Sequence, residues 1–439
     1  MPNSNTNEVK NSYLNNEDLM DLNSPKRIAS IDFVKGLAMV FIILAHGALA
    51  WLDNDWRYIY GLAFAFLDFL GPSLFVFLSA LSVVFSIRRK KKSKSTKAIR
   101  NGILTRGIVI IIIGIMFNPM SLRTSGQSVA WPFPLNLWGW NILMFIGFSQ
   151  ILSYYSLKLS KRARAVVGAV IIFISPLIRD LLFTYKKGNV VVWVLDLVIT
   201  SPLPQVPLLP YLSICFLSTI FGELLFEAMV AGTDKAYKNL YKTFKRWGVF
   251  LIALGLIWWI FEGFVTRVWL QTESTMLKSE YLHLDLLRIA NMQDYYKFPG
   301  MPTFMIRATI SNMFYSLGAG LLIIAICFNN FDIKKKNNDV IKMVNFYGKT
   351  SLSLFLIQYM FLPLYIGQFS IIFYPFIFAG YCAFLGLMMY IWLKYFNGVG
   401  SPEWIMAQIG KTGQKRKISV QKDTSQITEK TSPKQLNQI

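Results

Sequence analysis

Ten apolar runs of about twenty residues, separated by short polar loops, recur along this chain and leave it few folds to choose from. A bilayer core of roughly 30 Å is crossed by about 20 apolar residues in a helix, and within lipid every backbone polar group must be satisfied inside the segment itself. The runs lie near residues 31–51, 62–87, 103–119, 137–157, 165–183, 208–230, 247–265, 303–328, 342–366 and 369–394. They predict an all-α polytopic membrane protein of about ten transmembrane helices. The stretch from Val190 to Thr200 is too short to span and precedes the helix-breaking SPLPQVP, so it is expected at the outer interface.

Charge orients these spans. Lys and Arg number 45 against 23 Asp and Glu, a balance that invites a nucleic-acid reading. The excess sits in alternate loops, however: RRKKKSKSTKAIR, KLSKRAR, KNLYKTFKR and Lys334 to Lys336. That is the positive-inside pattern, so the charge encodes topology and no nucleic-acid partner is expected. Both termini then face the cytoplasm. The chain divides into a polar leader (1–26), a transmembrane domain (27–405) and a basic tail (406–439), with leader and tail expected to be disordered. Cys215, Cys327 and Cys382 fall inside apolar runs and are expected as packing residues, with no disulfide or metal role.

His46, one of two histidines, lies about fifteen residues into the first run, RIASIDFVKGLAMVFIILAHG. An ionisable group at that depth is a functional hypothesis by default. Lys35 precedes it by eleven residues, which returns to nearly the same helix face about 16 Å lower, with Asp32 on roughly that face as well. In the second span, Asp68 lies at a depth comparable to His46. There it is expected to accept a hydrogen bond from one imidazole nitrogen, leaving the other as a base. Plainer roles exist for each: an intramembrane histidine can bridge helices, Lys35 can snorkel, and Asp32 can favour the first helical turn. His283, in YLHLDLLRIA, reads as part of a surface amphipathic helix without chemistry.

The stretch R-IAS-I-D-FV-KG-LAMVFIILA-H, from Arg27 to His46, resembles the opening of the transmembrane acyltransferase superfamily. GPSLFVFLSALSVVFSIRRKKK, ILTRGIVIIIIGIMFNP, WGWNILMFIGFSQILS, PLLPYLSICFLSTIFGELL, YGKTSLSLFLIQY and the terminal SPEW are similar to later spans in the same order. In particular the chain resembles prokaryotic relatives of the heparan-alpha-glucosaminide N-acetyltransferase catalytic region. The animal enzyme has its catalytic histidine in the loop before the second span, whereas LDNDWRYIY here has none. His46 therefore matches the branches with histidine at the helix end. Lys35 stands where one of those branches has Arg, and Ala80 where many relatives have Gly.

The resemblance implies an acyl-CoA-dependent transferase of the cell membrane. It would move an acetyl group from cytoplasmic acetyl-coenzyme A, as co-substrate, to an amine or hydroxyl of an extracytoplasmic sugar or glycan. No metal is expected. On this reading Lys35, Arg88, Arg89 and Arg106 hold the coenzyme phosphates, and His46 is general base or acyl carrier, assisted by Asp68. Asp53, Asp55, Trp56 and Trp131 in outer loops suit a sugar. A homodimer is compatible with the sequence. The rival class is a transporter or flippase for a lipid-linked glycan, with His46 and Asp68 as a proton relay. The absence of a visible internal repeat counts against it.

Overall fold

A computed structural model describes residues 28–53, 57–90, 95–124, 134, 137–200, 207–265, 301–405 and 408. The leader, the tail apart from Gln408, and Asp55, Trp56, Trp131 and His283 lie outside the described residues.

The described chain is helical. In order, its helices are α1 (Ala29–Trp51), α2 (Arg57–Phe66), α3 (Pro72–Lys90), α4 (Thr96–Thr124), α5 (Ile142–Ser156), α6 (Lys161–Tyr185), α7 (Val190–Ile199), α8 (Leu208–Ala231), α9 (Asp234–Glu262), α10 (Ile310–Cys327), α11 (Asp339–Lys349), α12 (Ser351–Phe361) and α13 (Tyr374–Phe396). A two-residue antiparallel pair, β1 (Phe264–Val265) with β2 (Met301–Pro302), interrupts them. Among the described residues, eight helical segments are long and apolar enough to cross a membrane. The two remaining apolar runs form the shorter helices Ile142–Ser156 and Ser351–Tyr365, each rising about 22 Å. The protein is thus an integral, multi-pass, all-α membrane protein. Helix α7 rises only about 15 Å, and the indoles of Trp138 and Trp140 donate to its carbonyls at Leu197 and Val198 (2.8 and 2.5 Å).

The second apolar run differs from its expectation as one continuous helix. It breaks after α2 at a 3-10 turn, Asp68–Leu70, and restarts at α3. Gly71 has ψ near −127°, outside the helical region, and Pro72 follows at the first position of α3, where its missing N–H costs nothing. Asp68 opens the turn, and its carbonyl accepts from Gly71 N–H (2.9 Å).

Most helix starts are capped by their own preceding residue, such as Asn141, Ser160, Thr233, Thr309 and Asn338. Among the described residues, distant carboxylates also cap three starts: α1 and α12, whose preceding residues make no side-chain cap, and α10, which adds one to its Thr309 cap. Asp332 accepts from the amides of Ala29 and Ser30 at the head of α1 (3.2 and 3.1 Å). Glu262 accepts from Ile310 and Ser311 at α10 (3.2 and 3.3 Å). Glu403, in the SPEW segment, accepts from Leu352 and Ser353 at α12 (3.1 and 3.0 Å). A carboxylate placed there meets both unsatisfied N–H groups and the positive end of the helix dipole.

Helices α1, α3, α8 and α10 form the buried centre, while α6, α9 and α13 turn residues such as Phe250, Ile257, Phe376 and Leu387 outward, as a lipid-facing ring requires. Where helices touch most closely, glycine permits it. A Cβ on Gly36 would lie 1.9 Å from the Val344 carbonyl oxygen, and one on Gly348 would lie 1.8 Å from that of Asp32. The obstacle is backbone, so α1 and α11 would have to separate. Gly36→Ala should therefore cost about 1–3 kcal/mol, read as a lowered unfolding midpoint in detergent. Gly380→Ala on α13, where a Cβ meets nothing within 4 Å, should leave the midpoint unchanged or raise it.

Candidate active site

The Gly36–Gly348 contact clamps the start of α1 against the α11–α12 junction and so assembles the floor of a cavity of about 460 Å³, a size suited to a small-molecule site. Asp32 and Lys35 of α1, Arg106 of α4, Lys349 and Glu403 line it near the helix ends that carry the basic loops. Ser79, Ser82 and Ser86, spaced three and four apart on one face of α3, add a hydroxyl stripe, and Gln150 of α5 donates to Ser79 (3.3 Å). Deeper, the lining becomes apolar with Phe75, Ile110, Ile142, Leu143 and Phe355.

His46 lies just beyond that apolar end. The Phe355 ring stands 6.1 Å from the imidazole, centroid to centroid, and also packs against Phe117 (5.7 Å) and Tyr359 (5.5 Å). The Tyr359 hydroxyl is 3.3 Å from His46 Nε2. Nδ1 is buried and has no hydrogen-bond partner among the described residues. Gln358 stands beside the ring, fully buried, and neither of its amide atoms has a partner among the described residues.

Asp68 is engaged elsewhere than its expected contact with His46. It is 1 % exposed and accepts from Arg307 Nε at 2.8 and 2.9 Å, with a further contact from Arg307 Nη2. Equal depth in the membrane does not fix a partner, and a guanidinium fork satisfies a buried carboxylate better than one imidazole N–H. Arg307 is near enough for its charge to act on His46, so the pair forms part of the histidine's surroundings.

The four cations expected to hold phosphate divide. Lys35 and Arg106 line the cavity. Arg88 pairs with Glu223 (3.0 Å), which a second, buried guanidinium, Arg164, also holds (2.5 Å). Arg89 lies over the Phe85 ring (5.7 Å). Neither Arg88 nor Arg89 is among the cavity's lining residues.

Several neighbours of the site were absent from the expectation: Arg307, Lys349, Gln358, Tyr359 and Glu403. Gln358 carried a signal, an amide inside the apolar run SLSLFLIQY, by the same reasoning that singled out His46. Lys349 and Glu403 stand in YGKTS and SPEW, segments quoted above for their resemblance but given no task.

Fold and site together define a multi-pass membrane protein with a polar cavity at one face and an intramembrane histidine at its deep end. The family model for heparan-alpha-glucosaminide N-acetyltransferase, catalytic, matches residues 27–251, just over half of the chain, and the protein belongs to this family of membrane acetyltransferases. No curated protein matches the chain. The matched segment carries His46, Asp68, Lys35 and Arg106. Arg307, Lys349, Phe355, Gln358, Tyr359 and Glu403 lie beyond it.

Proposed function

We propose that the protein transfers an acetyl group from acetyl-coenzyme A, bound at the basic face, to an amine or hydroxyl of a sugar or glycan reaching His46 from the opposite side. The observation that carries this reading is the cavity itself. It has cations at the basic face and an apolar deep end one aromatic ring from His46. Coenzyme phosphates need cationic donors, and Lys35, Arg106 and Lys349 supply them. The pantetheine arm is extended and largely neutral, which suits the serine stripe and the apolar end. The distance from Lys35 to His46 along α1 is about 16 Å, a span such an arm can cover. Phe355 would have to rotate for the acyl end to meet the imidazole.

In the transfer, the acceptor nitrogen or oxygen bonds to the thioester carbonyl carbon and gives its proton to His46. The C–S bond then breaks, and the imidazolium returns the proton to the leaving thiolate. A proton relay through His46 and Asp68, as a transporter would use, is less well supported, since Asp68 is held by Arg307.

Arg106→Ala should raise KM for acetyl-coenzyme A about 10- to 100-fold, the equivalent of one charge-assisted hydrogen bond or slightly more, with kcat changed little. Arg88→Ala should leave KM within about twofold, because Arg88 serves Glu223. Initial rates on detergent-purified protein at varied acetyl-coenzyme A decide it; equal effects of the two changes would contradict the assigned coenzyme position.

A further inference from the structure

Two polar side chains with buried atoms that make no well-formed hydrogen bond among the described residues lie next to each other. Gln358 is 0 % exposed, yet neither Oε1 nor Nε2 of its amide has a hydrogen-bond partner among the described residues. Nδ1 of His46 is buried and equally without one, and the two side chains are near enough to hydrogen-bond. Unmet groups of this kind each cost free energy, and native structures hold few of them. The other ring nitrogen, Nε2, faces the Tyr359 hydroxyl at 3.3 Å. Gln358 and Tyr359 are consecutive on α12, so their side chains diverge by about 100° and reach the imidazole from two directions.

We infer that this pair divides the two ring nitrogens between them: Gln358 Oε1 receives Nδ1–H and keeps the proton there, so that Nε2 is the reactive base. Tyr359 fits the same scheme. Its hydroxyl can donate to Nε2 only when that nitrogen bears a lone pair, which is the tautomer Gln358 selects. When the acceptor amine or hydroxyl takes its place at Nε2, the Tyr359 O–H is released to donate to the carbonyl oxygen as negative charge develops there. The acceptor's proton passes to Nε2, the new bond to the carbonyl carbon forms, and collapse of the adduct expels the thiolate, which recovers that proton. Gln358 is then a positioning residue, and Tyr359 a catalytic one that contacts the reacting oxygen. The inference rests on His46 acting as base.

The chain has only two histidines, which makes the tautomer directly readable. Full-length His283→Gln protein labelled with 15N-histidine, in lipid nanodiscs, would give the ring-nitrogen spectrum of His46 alone. The expected result is a neutral ring protonated at Nδ1, shifting to protonation at Nε2 in Gln358→Leu and unshifted in Gln358→Glu, which keeps an acceptor oxygen in the same place. In turnover, Gln358→Leu should lower kcat about 10- to 100-fold, as loss of a histidine's orienting partner does, with KM for acetyl-coenzyme A little changed. Tyr359→Phe should lower kcat about 10²- to 10³-fold, as for one oxyanion donor, with the tautomer unchanged or mixed. A wild-type ring protonated at Nε2, or a tautomer indifferent to Gln358→Leu, would overturn the inference. The expected tautomer in a protein that transfers no acyl group would overturn the transfer reading alone.

Discussion

Alanine at position 46 should lower acetyl transfer about 10²- to 10⁴-fold, the range attributable to a positioned general base, while the protein still folds and purifies from membranes. The fold tolerates the change because the hydrogen bond between the imidazole and the Tyr359 hydroxyl is long, 3.3 Å, and the rings packed against it are those of Phe355 and Tyr359. Those rings also contact Phe117 and each other, so the cluster persists without the histidine. Acetyl-coenzyme A binding should survive as well, since Lys35, Arg106 and Lys349 belong to the cavity floor. The pattern to look for is a collapse of kcat with coenzyme affinity retained, measured by turnover and by equilibrium binding on the same preparation. Retained turnover in His46→Ala would remove the histidine from the mechanism.

Removing Arg307 should cause the largest loss of stability of any single change near the site. Arg307→Leu leaves Asp68 ionised, 1 % exposed and without its fork, and breaking a buried pair in this way costs about 3–5 kcal/mol. Asp68→Asn should cost less, because the Arg307 side chain keeps 20 % exposure and can turn toward water. The double variant Asp68→Asn with Arg307→Leu should recover part of the loss, and the cycle of four proteins isolates the coupling. Unfolding midpoints in one detergent measure all four. If Arg307→Leu matched the wild type in stability, the ion pair would not be what holds the broken helix in place. If Asp68→Asn slowed turnover at unchanged stability, Asp68 would regain the role of orienting His46.

These two residues also show what could be read in the sequence and what could not. His46 and Asp68 stood out because charge and polarity are costly at that depth in an apolar run, a property each residue carries by itself. The partner of Asp68 did not, because Arg307 is 239 positions away and depth alone makes any group at the same level equally eligible. The helix break at Asp68 was legible in DFLGPSL, where Gly and Pro adjoin, yet the run's overall hydropathy masks it. The three carboxylates that cap distant helices had no local signal at all. Glu403 lies about fifty positions from the amides it satisfies, and only the folded bundle brings it there. The basic loops could be read only as a charge pattern, whereas the difference between Arg106, which lines the cavity, and Arg88, which serves Glu223, depends on which helix face each occupies.

The most direct test uses sealed vesicles containing the purified protein in one orientation, with labelled acetyl-coenzyme A on the side of the basic loops and an amino sugar on the other. Label should appear on the sugar across the membrane with the wild-type protein and remain on coenzyme A with His46→Ala. Transfer that is equal in both proteins, or that proceeds only when donor and acceptor share one side, would contradict transfer through His46 from a coenzyme bound at the basic face.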